Sequence, residues 1–133
     1  MKMAKQEELQ RVAFELDYYR QQAEGVQQRL AQVQTLMAEG EATRKALESL
    51  NANETMMPIG SGIFSKVKIA DAKKVLVEVG GRVIVEKSVE DAKKLLDERQ
   101  VDLQKALDEL NDAMEKLAER VSELDSQALK LQG

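Results

Sequence analysis

The sequence predicts an α+β fold: a long antiparallel coiled-coil hairpin with two central β-hairpins, which pair with those of other subunits into a shared sheet or an intersubunit β-barrel. Three observations carry this expectation. Charged residues make up 33% of the 133 residues and aromatics 3%, too few rings for an ordinary globular core. Apolar residues recur every seven positions along two long stretches, as in a coiled coil. Between them, Thr55 to Lys87 holds the only proline and four of the seven glycines, set among β-branched residues. One domain, 1–133, is expected, with a first helix over 5–53, the strand block over 55–87 and a second helix over 88–132.

The first helix rests on Leu9, Leu16, Ala23, Leu30 and Met37, with Val12, Tyr19, Val26, Val33, Gly40 and Leu47 three residues behind. About 48 residues at 1.5 Å each make a rod of roughly 70 Å. Near Gly40 the row Leu36, Gly40, Thr43, Leu47, Leu50 fits better, which predicts a register shift there. Phe14 and Tyr18 escape the seam and fall four apart on the outer face, close to Met1 and Met3. Scattered surface hydrophobes are ordinary; a cluster near a rod end is the kind of patch that marks a binding site.

Pro58 cannot continue the helix, and Asn51 and Asn53 suit its end. Gly60-Ser61-Gly62 then separates Met56–Ile59 from Ile63–Ile69, which gives a first hairpin. Ile63, Val67 and Ile69 share one face, opposite Lys66 and Lys68. The glycines do not read as a phosphate cradle, because such a loop opens a helix and this one opens a strand. A polar connection through Asp71 to Lys74 leads to Val75, Val77 and Val79. Gly80-Gly81 is a two-residue turn signal, and Val83 and Val85 follow in a second hairpin. Isolated hairpins are marginal in water, and four strands leave open edges that proteins cover or pair. The block is therefore expected to oligomerise through Ile59, Ile63, Phe64, Val67, Ile69, Val75, Val77, Val79, Val83 and Val85, with Gly60, Gly62, Gly80 and Gly81 at the turns.

The second helix opens on Ser88, with acids Glu90 and Asp91 in its first turn. Val89, Leu96, Leu103, Leu110, Leu117, Leu124 and Leu131 recur at seven, and Lys93, Gln100, Leu107, Met114, Val121 and Ala128 form the companion row. Two seams of matched length fold back as an antiparallel pair, which brings both termini together away from the strands.

Composition excludes several functions. Net charge is −4, which gives no cationic face for nucleic acid. With neither Cys nor His, disulfides, the usual zinc ligands and the commonest general base are absent. Paired acids such as Glu7-Glu8 and Asp97-Glu98 diverge on a helix and read as solvated charge. No enzyme activity, cofactor or metal is expected. The opening MKMAKQEELQ lacks the apolar core of a signal peptide, and no run approaches a membrane span, so a cytoplasmic chain without membrane contact is expected.

The order of parts is specific. A helix, then MMPIGSGIF, a strand ending KVKI, KKVLVEVGGRVIVEKS and a second helix resembles the prefoldin α class, the archaeal α subunit and its eukaryotic α-type relatives. The likeness is sharpest over Pro58–Gly62 and Val77–Ser88. It implies an ATP-independent molecular chaperone in which two α and four β subunits join their hairpins into a double β-barrel bearing six coiled-coil arms. The arm ends hold unfolded polypeptide and pass it to a group II chaperonin. The family has no fixed client-binding motif, so position alone nominates Met3, Leu9, Val12, Phe14, Tyr18, Leu124, Leu129 and Leu131: coiled-coil ends fray and expose seam residues. The alternative is a structural or filament-forming coiled-coil assembly protein without client binding.

Overall fold

The structure, a computed structural model, describes residues 2–133, with side chains from Ala4 onward. Its elements are α1 (Lys2–Glu48), β1 (Glu54–Gly60), β2 (Ile63–Lys68), β3 (Lys74–Gly80), β4 (Val83–Ser88) and α2 (Val89–Gln132). The chain divides into two compact units, one of Met1–Leu36 with Asp102–Gly133 and one of Met37–Val101.

In the first unit the two helices run antiparallel. Residues 8–12 of α1 lie beside 127–131 of α2, and residues 20–27 beside 114–121. Val12, Leu16 and Leu124 are its buried core, with Tyr19, Val121, Ala128 and Leu131 packed against them. Arg20 pairs with Asp125 at 3.3 Å and Arg120 with Glu15 at 3.4 Å. Both pairs are half-exposed and contribute little beside the aliphatic contacts.

In the second unit α1 again faces α2. The Gln100 side-chain amide donates to the Met37 carbonyl at 2.8 Å, and Arg44 reaches Asp97 at 3.4 Å. Helix α1 stops at Glu48, five residues before the expected Asn53. Asn51 ends it: its side-chain oxygen accepts from the Asn53 amide at 2.9 Å and its amide donates to the Ser49 carbonyl at 3.3 Å, a local turn that competes with helix. Helix α2 begins as expected, with the Ser88 hydroxyl oxygen accepting from the Asp91 amide at 3.0 Å.

The register shift expected at Gly40 does not occur. Positions 9, 12, 16, 19, 23, 26, 30, 33, 37, 40, 44 and 47 of α1 all turn inward on one unbroken heptad frame, while Leu36 and Thr43 stay exposed. Arg44 occupies the seam position that a shift would have avoided, because its long apolar stem can pack while its head reaches acid at the rim.

The strands form two separate antiparallel pairs, β1 with β2 and β3 with β4. Their registers are the same at an offset of 20 residues: Met56 pairs with Lys66 and Pro58 with Phe64, as Leu76 pairs with Glu86 and Glu78 with Ile84, and each pair is irregular just before its turn. The two central turn residues have positive φ in both, Ser61 (51°) and Gly62 (78°) in the first, Gly81 (56°) and Arg82 (64°) in the second. That is the twist-matched hairpin turn. Gly80-Gly81 was expected at the centre; the turn sits one residue later, and Gly80 (φ 119°) closes β3 as Gly60 (φ 139°) closes β1.

Candidate interaction surfaces

Two surfaces stand out, each within one unit. The first is the strand block. Directly paired residues share a face, so Met56, Pro58, Phe64 and Lys66 form one face of the first hairpin and Leu76, Glu78, Ile84 and Glu86 the equivalent face of the second. The apolar members are open to solvent, Leu76 at 73% and Met56 at 66%. On the opposite face Val67, Val75, Val77 and Val85 are half-covered, while Met57, Ile59, Ile63, Val79 and Val83 remain exposed. Ile69 lies just beyond β2 and is half-covered.

A groove of about 420 Å³ runs between β3 and the helices, lined by Leu47, Val75, Val77, Ala92, Leu95 and Leu96 among others. The Val89 amide donates to the Lys73 carbonyl at 2.8 Å and ties the second hairpin to α2. Both faces of each hairpin therefore carry apolar side chains, the pattern of a sheet covered on two sides. Apart from Phe64, the expected residues lie on one face; Met56, Leu76 and Ile84 on the other, and Met57 on the same one, were not among them. The apolar run Val75-Leu76-Val77 was the available signal, since a one-sided strand would place a polar residue at every second position.

The second surface is on the first unit. Phe14 is 76% exposed, Leu129 71%, and Tyr18 is also exposed. Phe14 and Tyr18 stand four apart on α1, on its solvent side. Tyr18 meets Tyr19 edge to face with ring centroids 5.3 Å apart, and the Arg120 guanidinium lies 5.8 Å from the Tyr19 ring centroid. Arg120 also donates to Glu123 at 3.1 Å. Its pKa is raised above the ordinary arginine range, first by that bond and then by Tyr19.

The other residues nominated from position sit differently. Val12 is 3% and Leu124 0% exposed, the heart of the core, and Leu9 and Leu131 are half-buried. The Met3 side chain lies outside the described ones. Seven-residue spacing marks which residues face a partner helix, and those are the ones the partner covers.

Among the described residues no group of acids could hold a metal ion, and no helix is long and apolar enough to cross a membrane. No relative is found among curated protein sequences. A family model described as "Prefoldin subunit" matches residues 19–133. The chain is similar in structure to filamentous PFD from Methanocaldococcus jannaschii, solved by cryo-EM, with a TM-score of 0.72 and 23% identity, over 84% of this chain and 95% of that one.

Proposed function

Because the chain belongs to the prefoldin family, a family of non-enzymatic chaperones, we propose that it is an α-class subunit of an ATP-independent chaperone, one that holds unfolded polypeptide and passes it to a group II chaperonin. The supporting observation is the pair of hairpins, whose apolar side chains are uncovered in the single chain. Exposed β-branched faces and unpaired edges of this extent need a partner. In this reading β-type subunits supply it, in an assembly of two α and four β chains whose hairpins close a shared barrel. The two-hairpin pattern favours the α class.

Client holding is assigned to Phe14, Tyr18 and Leu129, which are exposed without any opening of the helix pair. Leu9, Val12, Leu124 and Leu131 contribute only where the helix ends part. Each such contact is weak, and several chains around one cavity add up through effective concentration. The cytoplasm, where unfolded chains emerge, is the compartment this role requires.

Native mass, measured for the chain alone and after mixing with a β-type subunit, tests the assembly. A closed hexamer that forms only in the mixture is the expected result. Long open polymers of the chain alone would instead favour the filament-forming reading, since a surface that binds a different surface of its neighbour grows without limit unless it closes. Suppression of aggregation of a denatured client tests the holding. An intact assembly that leaves aggregation unchanged would remove the chaperone assignment.

A further inference from the structure

The aliphatic seam does not by itself fix how the two helices are aligned. Leucines recur at seven along α2, and apolar residues do so along α1, so a slide of one heptad, about 10 Å, pairs aliphatic with aliphatic again. The connections permit such a slide. The strand block is tied to α2 by the Val89–Lys73 bond. It reaches α1 through residues 49–53, which fully extended span up to about 17 Å.

One layer of the seam is different. Gln100 occupies a seam position on α2, and its Nε2 donates to the Met37 carbonyl on α1 at 2.8 Å. It reaches that carbonyl because residue 40 is glycine: a Cβ there would stand 2.9 Å from the same nitrogen. One turn on, Arg44 approaches Asp97 at 3.4 Å. A one-heptad slide would set Gln100 against Val33 or Leu47, whose branched side chains cover the backbone that Gly40 leaves open. The layer is also costly, because Gln100 Oε1 is buried without a hydrogen-bond partner and the buried Arg44 Nη1 has only the long 3.4 Å ion-pair contact with Asp97, and an aliphatic pair would carry no such penalty. A polar residue at a seam position, fitted to a single partner, selects one alignment at the expense of stability.

We propose that Gly40 and Gln100 form the register key of the helix pair, a positioning device independent of the chaperone assignment. The chain has no cysteine, so Glu41→Cys and Glu98→Cys, both at exposed sites of the same unit, can carry spin labels for a distance measurement. With Gly40 and Gln100 in place a single narrow distance is expected. Gln100→Leu should melt no lower than the parent yet show at least two distances, the added ones longer because one label has moved about one heptad, roughly 10 Å, along the axis. Gly40→Ala, which drives the amide out, should show the same spread and melt lower. A single narrow distance in either folded variant overturns the proposal, as does a lower melting temperature for Gln100→Leu.

Discussion

Arg120 joins the two helices of the first unit through Tyr19: its guanidinium lies over that ring while its amino groups reach Glu15 on α1 and Glu123 on α2. Tyr19 in turn braces Tyr18 edge to face, so a packed cation holds an exposed aromatic ring in place. Arg120→Ala removes the brace and the cross-helix pair together. It should lower the melting temperature by about 3–6 °C and weaken client holding, in thermal melts and aggregation assays run side by side. Arg120→Lys should restore little, because the compact ammonium lacks the planar stacking surface.

The exposed and buried apolar residues of that unit should separate cleanly. Phe14→Ser with Tyr18→Ser removes solvent-facing rings and should leave the melting temperature within about 2 °C, while client holding falls several-fold. Leu124 is fully buried, and Leu124→Ala should cost about 2–5 kcal/mol. Equal loss of holding from both substitutions at temperatures where both proteins are folded would remove the assignment to the outer face.

Much of this architecture was legible in the chain, and what was not has a physical reason. The leucines of α2 face inward at every position their spacing nominated, because seven-residue recurrence and burial have one geometric cause. Gly40 misled: it reads as a break in the seam until Gln100 is seen opposite it, and no local pattern reports what stands 60 residues away. Val12 and Leu124 fit their heptads as well as any residue, and for that reason are covered. In the strand block, alternation marked the valine face, where Val75, Val77 and Val85 are half-covered and Val79 and Val83 exposed, and the open Leu76 and Ile84 sat in the gaps between them.

Leu76 and Ile84 therefore give the sharper test of assembly. Leu76→Asp with Ile84→Asp places charge on an exposed face, so the single chain should retain its helical circular dichroism. Its mixture with a β-type subunit should no longer reach the mass of a closed assembly, because an unpaired charge buried in an interface carries a heavy desolvation cost. Full assembly of this variant would move the contact to the opposite face of Val75 and Val77.

The hairpin turns predict opposite effects from neighbouring positions. Arg82 adopts φ 64° without being glycine, and Arg82→Gly should relieve that strain by up to about 1 kcal/mol. Gly80 at φ 119° lies where a side chain is rarely tolerated, and Gly80→Ala should cost about 1–3 kcal/mol although nothing crowds the site. Denaturant melts of the two variants against the parent read both signs.

Stability should be nearly flat from about pH 6 to 9, since the chain has no histidine and no cysteine, and these are the side chains that ordinarily change charge in that span. Arg120 adds no dependence there. Its folded pKa lies above its unfolded one, so its contribution is complete at every pH below the ordinary arginine value and fades only as pH climbs through the still higher folded value. Thermal melts at fixed ionic strength across the interval check this. A shift of more than about 5 °C, worth on the order of 1 kcal/mol for a chain of this size, would require a titrating group outside those named.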